Sequence, residues 1–360
     1  MTASPRGLAR SLVVAWLAVL LAAAQPALAW NAAGHRIVAL IAWIQLDETT
    51  RASLSALLRE HPDFEHWLAS GNDPDEDRRA FVEASTWADD IRKDSRFYTT
   101  GLDQPTATQP GFPDMERRAN WHYVDPPLAD ASHRVPGAGQ LDRQLPELIA
   151  ILGNRRADRA LRAYSLPWLI HLVADAHQPL HTASRLTPGG ESDSGGNAMM
   201  IHNPFSTRQP STSLHRYWDD LPGPPWLRDR QIESTVTALL SRHPQPPTPA
   251  GPAQWIAESR QIAGQFAYPD EELGAAVATI SREFHERSVA IANRRVTEAG
   301  YRLAELLKAL VGDLPSSSGR PARSRPSTEV SRETAADGAR ANAGPSPAAG
   351  QRARRSADAY

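Results

Sequence analysis

The densest chemistry in this 360-residue chain lies in Leu169-Ile170-His171-Leu172-Val173-Ala174-Asp175-Ala176-His177-Gln178-Pro179-Leu180-His181. Apolar residues recur there at helical spacing, so His171 and Asp175, four apart, are predicted to share one face of a buried helix. Pro179 cannot donate the next ladder bond, which ends that helix and puts His181 on a turned segment free to face a different neighbour. Imidazole and carboxylate together are a zinc ligand set, and a carboxylate can bridge two ions. One histidine on an apolar helix is ordinarily a satisfied core residue. His171, Asp175 and His181, all within eleven residues, need a common partner if they are buried, because unpaired buried polar groups destabilise a fold.

Four other stretches carry the same chemistry. Trp30-Asn31-Ala32-Ala33-Gly34-His35 would offer an α-amine, a carbonyl and an imidazole if the mature chain began at Trp30, and an α-amine is basic enough to bind metal near neutral pH. Trp87-Ala88-Asp89 is followed by Arg92, Trp121-His122-Tyr123-Val124-Asp125 sets a histidine beside an aromatic, and His215 and Asp219 repeat the four-residue spacing. Alone, each fragment reads equally well as chance, as a surface ion pair worth little, or as aromatic packing. Their order along one chain is the signal.

The elements that must position these groups are predicted to be almost all helical: 34–45, 50–59, 77–92, 141–152, 157–177, 228–241, 252–266 and 270–311 with breaks. Alternating β-branched runs are nearly missing, so a short ribbon around Ala198–His202 is the most strand expected. Pro- and Gly-rich stretches at 99–113, 124–139, 186–197, 203–211 and 221–225 read as long loops, where sites usually form.

Residues 1–29 read as an export signal: Arg6 and Arg10, an apolar run from Leu12 to Ala24, and Ala27-Leu28-Ala29 before the cut. Export with no cysteine leaves a large core or bound metal to supply stability. No second run approaches membrane-spanning length, so the expectation is a periplasmic or secreted product with no stable membrane insertion. From about Pro315 the chain turns to Ser, Ala, Pro, Gly and Arg, a composition expected to be disordered, leaving 30–314 as a single domain. That tail holds eight arginines against four acids and the leader adds two arginines, so of the formal −2 on the whole chain, about −8 falls on 30–314. An acidic body argues against nucleic-acid binding through a basic patch, yet not against an enzyme whose metals carry the positive charge.

With those motifs in hand, the sequence resembles the zinc-dependent S1/P1 nucleases of the wider phospholipase C and P1 nuclease group. The resemblance runs from Trp30 to Val311 through Trp-x4-His, Trp-Ala-Asp-x2-Arg, His-Tyr-Val-Asp, His-x3-Asp-x5-His, Gly195-Gly196-Asn197 and His-x2-Trp-Asp. It implies a mainly α, multi-helix, single-domain fold with long loops, and three zinc ions per chain. One ion would be held by Asp89, His122, His171 and Asp175, a second by the Trp30 amine and carbonyl, His35 and the shared Asp175, and a third by His181, His215 and Asp219. Arg92 would contact phosphate, Tyr123 would stack on a base, Asp125 would meet a base edge, and Asn197 would line the same pocket. The implied catalytic set is Asp89, Arg92 and Asp175. The implied activity is an endonuclease and 3′-nucleotidase that takes RNA, single-stranded DNA and 3′-nucleotides to 5′-products, and a monomer is expected.

The physics agrees with that assignment. Two zinc ions about 3.5–4 Å apart bring a shared water toward neutral pKa, so no Ser or Cys nucleophile is needed. Stacking needs an unstacked base and so favours single strands. Two rival readings are a zinc phospholipase C, from which the short Trp30-x4-His35 spacing and Asp219 depart, and a non-catalytic periplasmic zinc-binding protein, against which stand Arg92, Tyr123 and Asp125 beside the ligands. The chain differs from fungal members in lacking cysteine, in Pro126-Pro127 directly after Asp125, and in its tail. The other histidines (61, 66, 133, 177, 202, 243 and 285) are expected at the surface or behind the ligands, with His177 the one placed to orient a ligand.

Overall fold

A computed structural model describes residues 30–129, 139–187, 189–247, 250–269 and 277–311. The readings of an export signal over 1–29 and of a tail from 315 lie outside the described residues.

The first helix, α1 (Ala32–Gln45), starts where the Asn31 side chain accepts from the Ala33 and Gly34 N–H groups, and its residues 33–43 are all buried. A helix buried all round has no solvent face and belongs at the centre of a fold. It lies against the long C-terminal helix α11 (Arg282–Val311). At their crossing, a Cβ on Gly300 would stand 2.5 Å from Ile41 Cβ and 3.1 Å from the Val38 carbonyl, so only glycine permits the approach.

Around α1 pack α2 (Glu48–Leu58), α3 (Phe64–Leu68), α4 (Glu76–Ala84) and α5 (Trp87–Asp90). Asp47 and Asp75 cap α2 and α4 by accepting from the Thr50 and Arg78 N–H groups. The continuous helix predicted over 77–92 is broken between α4 and α5. Ser85 Oγ donates to the Val82 carbonyl and Thr86 Oγ1 to the Glu83 carbonyl, capping the last turn of α4 with side chains.

Next come α6 (Leu141–Gly153) and α7 (Arg159–Asp175), which pack on each other. Asp158 caps α7, and every residue from Arg162 to Asp175 is buried, as the apolar run predicts. The helix stops at Asp175, and Pro179 opens a 3₁₀ turn, Pro179–His181. A small sheet follows: β1 (Met200–His202) pairs antiparallel with β2 (Ser211–Ser213) and parallel with β3 (Ala278–Thr279). The expected ribbon thus gains a third strand from far along the chain, with Ile201 and Ala278 buried in register. β2 runs straight into α8 (Leu214–Asp219), which Ser213 caps.

Outside these lie α9 (Asp229–Arg242) and α10 (Pro252–Ile262), the latter continued by a π turn, Ala263–Ala267. The apolar interior falls into two clusters: a large one around α1, α7 and α11, and a smaller one of Leu180, Ile201, Leu214, Trp218 and Phe284 under the sheet. The described residues are therefore mainly helical with one small sheet, as the patterning predicts. No described helix is long and apolar enough to cross a membrane.

Candidate metal centre

The end of α7 is where the groups converge. Asp175 is fully buried and its two oxygens face different imidazoles: Oδ2 lies 3.2 Å from His122 Nδ1 and 3.3 Å from His171 Nε2, while Oδ1 lies 3.6 Å from His35 Nε2 and 3.9 Å from His181 Nδ1. His35 arrives on α1 and stacks on His171, rings 3.8 Å apart and 8° from parallel. Asp89 on α5 brings Oδ1 within 3.9 Å of His122 Nδ1 and 4.0 Å of His171 Nε2. Trp30 is buried beside them, its indole N–H donating to the Ala174 carbonyl on α7.

The break between α4 and α5 has a purpose visible in this geometry. His171 Nδ1 lies 2.7 Å from the Ser85 carbonyl, an acceptor that the broken helix leaves available. That bond puts the proton on Nδ1 and turns the Nε2 lone pair toward Asp175 and Asp89.

A second group forms at the 3₁₀ turn and α8. His181, His215 and Asp219 offer one ligand atom each, all within 4.8 Å of one another. His181 Nδ1 lies 2.6 Å from the His122 carbonyl, and His215 Nδ1 lies 2.7 Å from the Gly195 carbonyl. Gly195 adopts φ +63°, and a Cβ there would sit 2.4 Å from the Leu180 carbonyl, so the Gly-Gly turn is what lets that carbonyl reach the ring. Asp219 Oδ2 lies 3.6 Å from His215 Nε2.

The electrostatics suit a cation. Burial, reinforced by His171, holds His35 and His122 well below the usual imidazole range, so both rings present lone pairs. Burial also drags on His171, but the Asp175 and Asp89 charges outweigh it and raise its pKa to about 9. Asp175 is pushed up by burial, against the pull of His171, to about 6, and burial raises Asp219 well above the carboxylate range. A proton on His171 and a metal ion compete for one lone pair, so a cation entering here releases protons.

The residues present fit zinc on two grounds. The donor set is imidazole and carboxylate, the ligands zinc takes in open sites. Three atoms that face the groups are buried without a hydrogen-bond partner: His35 Nε2, Asp175 Oδ1 and Asp219 Oδ2. Each orphan costs roughly 1–3 kcal/mol in a dry interior unless something answers it, and a divalent cation answers several at once. The groups of ligand atoms overlap: His35 clusters with Asp89 and His171, and His171 again with His122 and Asp175. This side of the centre is one contiguous cluster, not two separated pockets.

Arg92 stands at its rim, Nη1 3.2 Å from Asp89 Oδ1. Tyr123 is half-buried; burial, then the Asp125 charge, raises its phenol, while Arg92 opposes. Asp125 Oδ1 accepts from the Gly139 N–H at 3.4 Å, and Gly139 packs on the Tyr123 backbone. Asn197 is half-buried in the Gly-Gly loop, its amide donating to the Ser194 carbonyl.

Some expectations need correction. His177 does not orient a ligand: its Nδ1 donates to the Val173 carbonyl and its Nε2 accepts from Arg302, which in turn is paired with Glu258. His61 is neither at the surface nor behind a ligand, but sits within Trp67, Trp87 and Phe112. Sequence reasoning missed Gln178, whose amide donates to Asp219, and Asp193, which accepts from the Arg185 N–H two residues before Gly195. Both lie inside stretches already notable for their ligands, and that proximity was the only signal for them.

Comparison with known proteins bears on what such a centre does. The S1/P1 Nuclease family model matches residues 30–312. Among curated proteins, Endonuclease 3 of Arabidopsis thaliana is 24% identical over 306 residues, covering 78% of this chain and 88% of its own. Endonuclease 5 of the same plant is 24% identical over 324 residues, covering 81% and 94% respectively.

Proposed function

The chain belongs to the S1/P1 nuclease family, and from that premise we propose that it is an exported three-zinc phosphodiesterase, cutting RNA and single-stranded DNA to 5′-nucleotides, with 3′-nucleotidase activity. A nuclease hydrolase is what the family and the endonuclease names of its relatives support. The observation that carries the finer reading is Asp175, a buried carboxylate whose Oδ2 faces His122 and His171 and whose Oδ1 faces His35, next to the His181, His215 and Asp219 group.

In this reading Asp89, His122, His171 and Asp175 hold one ion, Trp30, His35 and Asp175 a second, and His181, His215 and Asp219 a third. Bound zinc supplies Lewis acidity, lowering the pKa of water and offsetting charge on phosphoryl oxygens. The chain supplies placement. Nδ1 bonds to Ser85, His122 and Gly195 carbonyls lock the rings of His171, His181 and His215 in one tautomer and orientation. Arg92, steadied by Asp89, meets a non-bridging phosphate oxygen with a planar donor fork. Tyr123 offers a base its face, Asp125 accepts from a base edge, and Asn197 lines the same pocket. No base need be identified by such stacking, so cleavage tolerates sequence but requires an unpaired strand.

Export follows from the 1–29 leader, whose removal would free the Trp30 amine. The deciding experiment is metal analysis of the purified secreted protein with nuclease assays on single-stranded and duplex substrates before and after chelation. Three zinc ions per chain, loss of cutting on chelation and its return with zinc are expected. Zinc-free protein that cuts RNA overturns the reading, and hydrolysis of phosphatidylcholine without nuclease activity turns it to a phospholipase.

A further inference from the structure

We infer that Gln178 is a positioning residue that divides the carboxylate of Asp219, holding Oδ1 itself so that Oδ2 alone faces the imidazoles of His181 and His215. The inference rests on the three-zinc reading and adds to it a residue that touches neither zinc nor substrate.

Gln178 is fully buried in the turn between α7 and the 3₁₀ segment. Its Nε2 donates to Asp219 Oδ1 at 2.8 Å. Its Oε1 accepts from the Leu180 N–H. A main-chain N–H can only donate, so that contact assigns the amide's two ends: oxygen to Leu180, nitrogen to Asp219. The amide is thereby locked, and with it the carboxylate. Asp219 Oδ2 remains buried without a hydrogen-bond partner, 3.6 Å from His215 Nε2.

Two consequences follow. An unheld carboxylate can rotate and offer one oxygen or two; with Oδ1 engaged, Asp219 offers one, and the group presents three protein atoms. Three protein ligands leave a position for water or substrate, which a catalytic ion requires and a structural one lacks. The donor is also neutral, so Asp219 keeps its full charge for the cation where an arginine or lysine would cancel it. Because Leu180 precedes His181, the same side chain ties the turn bearing one ligand to the carboxylate of another. Asp175, by contrast, is surrounded by imidazoles, so a change at Gln178 reaches one ion of three.

The test uses signal-processed protein, wild type and two variants, Gln178→Glu and Gln178→Met. Zinc per chain is measured after equilibration in chelator-buffered zinc at graded free concentrations, with the thermal midpoint recorded on the same samples. Gln178→Glu keeps the acceptor for the Leu180 N–H and replaces the donor by a second carboxylate, so a defect there traces to Asp219 and not to the turn. The expected result is three ions in wild type and, in both variants, one ion bound about 10–100-fold more weakly, with the other two unchanged. Nuclease activity returns as free zinc is raised by the same factor. If Gln178→Met does not fold, Gln178→Glu decides alone. Wild type without a third ion overturns the zinc reading and takes this inference with it. Wild type with three ions, and variants that hold all three as tightly, overturn the role of Gln178 while leaving the zinc reading intact.

Discussion

His181 and His215 bring their Nε2 atoms within 3.2 Å of each other, while the Nδ1 atom of each meets a main-chain carbonyl. With the protons held on Nδ1, the Nε2 lone pairs of both rings are available to one cation together with the Asp219 carboxylate. Metal removal should therefore cost stability as well as activity. Free zinc at a hundred times the dissociation constant stabilises the fold by about 2.7 kcal/mol per site. For a domain of this size that is a thermal shift of roughly 5 °C. Scanning calorimetry with and without chelator checks it, and an unchanged midpoint would count against a metal at this group.

Asp175 is the carboxylate shared between the two sides of the close cluster, so its charge matters more than its shape. Asp175→Asn keeps the volume and removes the charge. It should drop nuclease activity by several orders of magnitude and release two ions, with the third retained. His171→Ala should lose activity together with stability, on the order of 3 kcal/mol, since it strips a partner from a buried pair. Zinc counts and urea melts on both variants provide the readout; full activity in either refutes its assigned role.

Trp30 is pinned by its indole on the Ala174 carbonyl and by contact with Gly34, where an added Cβ would stand 2.7 Å from Trp30 Cβ. A residue added before it would convert its α-amine to an amide, which offers no lone pair to a metal near neutral pH. Protein expressed with an extra methionine before Trp30 should bind one zinc fewer than signal-processed protein and lose most of its activity. Equal stoichiometry and equal rates argue against the amine as a ligand.

Tyr123 tests the substrate side apart from the metals. Tyr123→Ala should raise KM for single-stranded DNA by roughly 5–150-fold, the equivalent of about 1–3 kcal/mol of lost stacking, with zinc content unchanged. Tyr123→Phe should retain most of the affinity because the ring face is kept. A Phe variant as weak as Ala would assign the role to the hydroxyl instead.

What the sequence makes legible follows from range. His171 and Asp175 are one turn apart on an apolar helix, so their common face can be read from spacing alone, and Pro179 marks where that helix must stop. The break at Ser85 could not be read that way: 77–92 has helical composition throughout, and the interruption answers to His171, far along the chain, which uses the Ser85 carbonyl. The third strand was hidden for the same reason, since Ala278–Thr279 is too short to carry a pattern and is fixed only by pairing with β1. Gln178 and Asp193 act through hydrogen bonds across the fold, and a glutamine between two histidines looks like any polar turn residue until Asp219 is placed beside it. His177 misled because nearness to Asp175 in sequence is not nearness in space: beyond the end of α7 its ring is held by the Val173 carbonyl and Arg302.

His61 offers a pH test independent of the metal centre. It is buried, stacked on Trp67 at 4.6 Å with Trp87 and Phe112 edge-on, and its Nδ1 accepts from the Asp63 N–H. Burial holds its pKa down to about 3, against the opposing charge of Asp63 and with the help of Arg96. The folded value lies below the unfolded one near 6.5, so between pH 3 and 6.5 the unfolded chain binds the extra proton. Stability therefore rises with pH across that window and is complete above it. At pH 5 the loss from this residue is about 2 kcal/mol. His61→Phe should fit the aromatic cage and remove that dependence, at the expense of the Asp63 contact at neutral pH. Urea melts of wild type and variant at pH 7 and pH 5 give the difference directly, because the zinc-site histidines titrate in both proteins and cancel. The variant should gain about 2 kcal/mol on wild type between the two pH values. An unchanged difference means that His61 is protonated at no greater cost in the fold than out of it, and that its aromatic cage does not exclude the charge.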